Sequence, residues 1–286
     1  MDTILTYDPE PGKPRLKLPA GACDAHVHVF GPATRFPYAA NRPYTPVDAP
    51  KETLFALHRL LGIERCVIVQ STMHGLDNRV VEDAIAAGGG RYLGVALVPV
   101  DVADEELARL AAAGFCGVRF NFSAHLPAAA QPQQLPDFSK RLAAHGLHLQ
   151  VHFDSALVHT LASPLAQCAV KVVIDHMGRV DAALGPRHRD FAALHALLQH
   201  PHCHVKVSGS DRVAGPPPYA DGVALARLLL QDFPTRCVWG TDWPHPNHTH
   251  VPDDAQLVDL LQEIAPDAAA RERLLVHNPQ ALYRFP

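Results

Sequence analysis

Cys23-Asp24-Ala25-His26-Val27-His28-Val29-Phe30 is the stretch from which the fold can be read. It alternates, with Cys23, Ala25, Val27 and Val29 on one side and Asp24, His26, His28 and Phe30 on the other. Residues two apart in a β-strand share a face, so the two imidazoles point the same way, a few Å apart. Gly31-Pro32 follows at once and ends the strand. Neutral imidazole is a favoured ligand of zinc and other divalent first-row metals. A bare His-x-His is also what two hydrogen-bonded, partly buried histidines look like, so the rest of the chain has to decide.

Working outward, the next segment, 32–50, carries prolines at 32, 37, 43, 46 and 50. That is too many for a helix and too long for an ordinary turn. It reads as a loop on the substrate side, bearing Arg42 and Tyr44. Spacing predicts a helix over 53–61 and a buried strand over 66–70, whose unbroken β-branched run suits a parallel sheet covered on both faces. Further strands are predicted over 93–98, 116–120, 147–153, 170–175, 204–208 and 237–240. Helices are predicted over 80–87, 105–113, 138–145, 156–161, 191–198 and 223–230, and the last ones at about 255–264 and 268–276. Eight strands alternating with helices in 286 residues predict an α/β protein, a (β/α)8 TIM barrel, as one domain over 1–286 with an extended lead-in over 1–20. The competing architecture is an open doubly wound sheet. The polar residues favour the barrel: His26, His28, Thr72, His74, Arg119, His152, His176, Arg212 and Asp242 fall at or just past the C-terminal ends of the predicted strands. In a closed barrel those ends surround a single mouth, where active sites are built.

Composition narrows the function. Hydrophobic residues make up 48% and charged residues 19%, with a net charge of −4. That balance, with no clustered Lys/Arg stripe, speaks against a nucleic-acid partner. No run approaches the roughly 20 apolar residues of a membrane span, and the first residues lack the pattern of a signal peptide. Six scattered cysteines (23, 66, 116, 168, 203 and 237), with no Cys-x-x-Cys, read as buried thiols in a reducing compartment, hence a cytoplasmic protein, monomeric or a small homo-oligomer.

Five of the residues at the predicted mouth form a set: His26, His28, His152, His176 and Asp242. Each has an ordinary reading of its own. His152, in Gln150-Val151-His152-Phe153, could be a satisfied core histidine, and Asp242, between Thr241 and Trp243-Pro244, a helix cap or turn residue. Together they supply several imidazoles and one carboxylate from different strand ends, enough for a three- or four-ligand divalent site with a position open to water.

These runs also carry a resemblance. His26 to Pro32, Val67-Ile68-Val69-Gln70, His74-Gly75, Arg119-Phe120-Asn121-Phe122, Ile174 to Arg179, Asp211-Arg212 and Trp239 to Asn247 occur in an order similar to the amidohydrolase superfamily. The likeness is to its branch of 2-pyrone-4,6-dicarboxylate lactonases and related muconolactone and sulfomuconolactone hydrolases. The resemblance implies a barrel and hydrolysis of an anionic lactone in aromatic-compound breakdown. It makes Asp242 the base that activates water, and has His26, His28 and His176 polarise the carbonyl. It also implies that Tyr44, Thr72, His74, Arg119 and Arg212 face the substrate, with Thr72 keeping the hydroxyl of a family serine. Arg179 adds a cationic grip, its ordinary alternative being a surface ion pair.

Two positions depart from the pyrone lactonase pattern. Those enzymes work without metal and carry a tyrosine on strand five, where this chain has His152. Metal-binding members of the superfamily have a histidine there, so His26, His28, His152 and Asp242 are expected to hold one divalent metal, zinc or manganese. The second departure is His125, where an arginine grips a substrate carboxylate in the lactonases. Arginine forks onto a carboxylate and neutral histidine cannot, so a sulfo- or carboxy-muconolactone competes with the pyrone dicarboxylate as substrate. The alternative activity is metal-dependent decarboxylation of an unsaturated or aromatic acid.

Overall fold

The computed structural model describes residues 3–123, 130–248 and 250–286. His125 lies outside the described residues. Eight strands form one parallel sheet: β1 Cys23–Val27, β2 Arg65–Val69, β3 Tyr92–Ala96, β4 Phe115–Phe122, β5 His148–Phe153, β6 Val172–Ile174, β7 Cys203–Lys206 and β8 Cys237–Val238. They pair in sequence order. Three backbone bonds join the last strand region to the first: Ala25 N–H to the Trp239 carbonyl at 2.8 Å, Asp242 N–H to His26 at 2.8 Å, and His28 N–H to Trp243 at 2.7 Å. The sheet is thereby a nearly closed (β/α)8 barrel.

Each crossover uses the alternation read from the sequence. The helix Lys51–Leu61 buries Leu54, Leu57, His58 and Leu61, one face of a 3.6-residue repeat. It stops at Gly62, whose φ of 79° is left-handed. The helix predicted from 138 begins at Leu135, because proline is tolerated in a first helical turn and Pro136 sits there. Residues 156–161 open with a 3-10 turn, and the helix proper is Val158–Ala166. A short helix that periodicity did not reveal, Ser210–Val213, carries Arg212.

The strand faces divide the core in two. Cys23, Ala25, Val67, Val69, Val95, Val173 and Val238 form a small cluster with Tyr283 and Phe285, while Val27, Val29, Cys66 and Ile68 belong to the large cluster that includes the helices. Strict alternation from 23 to 30 therefore fails at one place. The register of β1 against β2 shifts between Asp24 and Val27, and this irregularity separates Asp24 from the histidine pair. Asp24 binds Thr241 instead, accepting from its N–H at 3.1 Å and from its hydroxyl at 2.6 Å.

The lead-in lies against the outside of the barrel. Thr3–Ile4 pairs with Thr45–Pro46 of the proline-rich loop, and Arg15 reaches Asp259 at 2.9 Å. No described helix is long and apolar enough to cross a membrane.

Candidate active site

At the C-terminal mouth of the barrel, one oxygen of Asp242 is the focus of three imidazoles. Oδ1 lies 3.4 Å from His28 Nε2 and 3.6 Å from the Nε2 atoms of both His26 and His176. All four side chains are at most 3% exposed, so water cannot screen them. His28 Nδ1–H donates to the Val69 carbonyl at 2.7 Å. A carbonyl can only accept, so in the neutral ring the Nε2 that faces Asp242 carries a lone pair. A lone pair opposite a carboxylate oxygen calls for a cation or a proton between them.

Backbone conformation delivers these groups. His176, Met177, Gly178 and Arg179 all have φ between 45° and 62°, a left-handed run that turns both His176 and Arg179 to the mouth. His176 fits there because Gly209 has no side chain: a Cβ at 209 would sit 3.2 Å from the His176 ring. Asp242, His245 and Asn247 are also left-handed, at 67°, 55° and 57°.

Beneath the mouth is a buried charged layer. Lys206 reaches His26 Nδ1 at 3.1 Å, Gln150 Oε1 at 3.0 Å and Asp175 Oδ1 at 3.3 Å. Asp175 also accepts from Arg119 Nε at 2.8 Å and stands 3.3 Å from His26 Nδ1. Burial works against the Asp175 carboxylate, but Lys206, His26 and Arg119 outweigh it and hold its pKa well below the usual range. Burial, reinforced by the Lys206 ammonium, pushes His26 down to about 3. Burial likewise lowers His152, with Arg119 adding to it, and His176. These imidazoles are neutral at pH 7, the state that ligates metals. For Asp242, burial is opposed chiefly by the Arg212 guanidinium, which holds its carboxyl well below the usual range.

His26, His28 and Asp242 have donor atoms within 4.8 Å of one another. Two imidazoles and a carboxylate are a zinc-type donor set. The fit is supported by His26 Nε2, a buried nitrogen with no hydrogen-bond partner among the described residues. His152 lines the same pocket, its ring 6.1 Å from that of His176, but it is not within the tight group.

The pocket above is also lined by Ser71, Thr72, Arg119, Arg179, Arg212, Pro246 and Asn247. Three guanidinium groups at one mouth make it a receptor for an anion. Arg212 pairs with Asp242 Oδ2 and donates to the Pro246 carbonyl at 3.1 Å, and Arg179 Nη1 stands 4.0 Å from Asp154. Tyr44 and His74 are not among the lining residues. The Tyr44 hydroxyl accepts from Asn247 N–H at 3.1 Å. His74 uses both nitrogens on backbone, accepting from Gly31 N–H at 3.2 Å and donating to Pro37 at 3.1 Å, so it ties the proline-rich loop to the barrel.

Sequence reasoning passed over Lys206, Gln150, Ser208 and Ser71. A signal existed for the first three, since Gln150 shares a face with His152 and Lys206 with Ser208 in buried strands. Nothing in the sequence marks Ser71.

Comparison with known proteins agrees with the geometry. A family model described as Amidohydrolase matches residues 23–285. A 2-pyrone-4,6-dicarboxylate hydrolase of Comamonas testosteroni is 43% identical, over 98% of this chain and 95% of its own. A 4-sulfomuconolactone hydrolase of Hydrogenophaga intermedia is 39% identical, over 94% of this chain and 90% of its own. Among solved structures, a probable 2-pyrone-4,6-dicarboxylic acid hydrolase from Acinetobacter baumannii with citric acid bound superposes with a TM-score of 0.83. It is 26% identical and covers 93% of this chain and 100% of its own.

Proposed function

The chain belongs to the amidohydrolase family, and from that premise we propose that it is a lactonase opening the ester of a small anionic lactone. The observation that carries the reading is the meeting of Arg119, Arg179 and Arg212 with the Asp242 carboxylate in one pocket. Guanidinium groups bind a carboxylate or sulfonate, and a carboxylate activates water beside it. The relatives named for 2-pyrone-4,6-dicarboxylate and 4-sulfomuconolactone bring this chain a lactone fused to such an anion. The six free cysteines suit a cytoplasmic setting.

In the proposed reaction Asp242 Oδ1 takes a proton from water, whose oxygen attacks the lactone carbonyl. Ser208 lies 3.0 Å from His176 Nδ1. When its hydroxyl donates there, Nε2 carries the imidazole proton and can donate to the oxyanion. The ring C–O bond then breaks, and Asp242 returns its proton to the leaving oxygen, giving an open-chain acid. Arg119 and Arg212 hold the remote anionic group, so that substrate binding draws Arg212 from Asp242 and raises the basicity of the carboxylate. Thr72 supplies a hydroxyl at the pocket wall.

His26, His28 and Asp242, with His152 as a further donor, would hold a divalent cation, zinc or manganese. Such a cation supplies Lewis-acid polarisation of the water and of the lactone carbonyl.

A panel of carboxylated and sulfonated lactones, read by acid release and by carbon dioxide release, tests the proposal. Acid release without carbon dioxide is the expected result, and carbon dioxide as the product overturns it. Asp242→Asn is expected to abolish turnover and leave ligand binding nearly intact.

A further inference from the structure

A second cluster of donors lies behind Asp242. Asp211, His245 and His248 each offer one ligand atom, all within 4.8 Å of one another. The run containing His245 was singled out in the sequence, yet the lactonase reading gives this histidine no task. Asp211 Oδ2 and His248 Nε2 stand 2.8 Å apart. Both atoms are buried and, as they stand, neither has a hydrogen-bond partner among the described residues. Two donor atoms at that distance have the spacing of one edge of a coordination polyhedron. Bonds of about 2.1 Å to a common cation would subtend a little under a right angle. His245 is fully buried and spends Nε2 on Asp254 Oδ1 at 3.2 Å. Its Nδ1 is buried with no partner among the described residues. A carboxylate behind one nitrogen orients the other as a ligand, as in carboxylate–histidine–metal triads.

We propose that Asp211, His245 and His248 form a second divalent-cation site, distinct from the His26/His28/Asp242 group, that takes a first-row ion such as Zn²⁺. Its place in the fold gives it a bracing role. His245 N–H donates to the Asp242 carbonyl at 2.7 Å, and Asp211 precedes Arg212, which pairs with the Asp242 carboxylate. A cation joining 211 to 245 and 248 would fix the loop after β8 to the short helix after β7, and with it the relative position of Asp242 and Arg212.

The test is a zinc-edge anomalous difference map from crystals of the metal-stripped protein soaked in Zn²⁺, with bound zinc counted by elemental analysis. A peak among Asp211, His245 and His248 is expected. The His26→Asn/His28→Asn protein is expected to retain one equivalent, which Asp211→Asn/His248→Gln loses. No peak at this cluster in the wild-type crystal overturns the proposal, leaving two histidine–carboxylate ion pairs only. The two sites fail separately: a peak here without one at His26 and His28 supports this site and removes the metal from the proposed reaction.

Discussion

The Nζ of Lys206 lies 3.1 Å from Nδ1 of His26, with both side chains fully buried. Lys206 also holds the Asp175 carboxylate at 3.3 Å. Removing one partner of a buried pair leaves the other uncompensated, at a cost of about 3–5 kcal/mol. Lys206→Met is therefore expected to lower unfolding free energy by about 3 kcal/mol, the Arg119 bond to Asp175 softening the loss. Urea denaturation reads it, and adding Asp175→Asn should recover part of the stability. A change under about 1 kcal/mol in the single variant would show that the layer is indifferent to this charge.

Arg119 and Arg212 are expected to act on substrate charge. Replacing either with Met should lower kcat/KM by about 2–3 kcal/mol, the upper range for hydrogen bonds to charged groups. Steady-state kinetics on the best lactone of the panel is the measurement. Unchanged kcat/KM in both variants would remove them from the binding site.

His152→Tyr tests the strand-five histidine. Lost ligation should weaken metal binding about tenfold or more, read by competition with a chromogenic chelator, and activity should fall with it. Full activity of the wild-type protein after exhaustive chelation would make His152 a pocket wall and not a ligand.

Acid should unfold the metal-free protein through histidines remote from the mouth. Burial, with Lys206 adding to it, lowers His148 from 6.5 to about 3, and burial lowers His204 to about 4. Below pH 6.5 the unfolded chain binds protons that the folded state refuses, so stability is full above that pH and drains away as pH falls toward the folded values. At pH 5 each fully buried histidine of this kind costs about 2 kcal/mol. Denaturant midpoints at pH 7 and pH 5 measure it, and His148→Leu should flatten the difference. Equal midpoints at the two pH values would contradict the account.

Much of this architecture was legible in the sequence because a parallel barrel writes itself as buried strands separated by amphipathic helices. The 66–70 run is an example: its five residues, Cys66, Val67, Ile68, Val69 and Gln70, are all fully buried. The position of His26, His28, His176 and Asp242 followed from one rule, that strand C-terminal ends share a mouth. What escaped were features without periodicity. The shift between Asp24 and Val27 is a matter of pairing register, which one strand's own alternation cannot report. The helix Ser210–Val213 has too few residues to show a repeat. His74 sits at a strand end like its neighbours, yet its ring is spent on backbone, a distinction that only geometry makes.

The bonds between Asp24 and Thr241 span 217 residues, and at Gly240 a Cβ would meet His26 N at 2.5 Å. The histidine pair and Asp242 thus sit on opposite lips of the seam where the barrel shuts. No shorter stretch of this chain contains the site, which comes into being only with the most distant pairing in the sheet, the slowest kind of contact to form. A ligand gripping both lips is then a clasp. It binds the shut barrel and not the opened one, and at a hundredfold excess over its Kd it would hold the seam closed by about 2.7 kcal/mol more than the chain does alone.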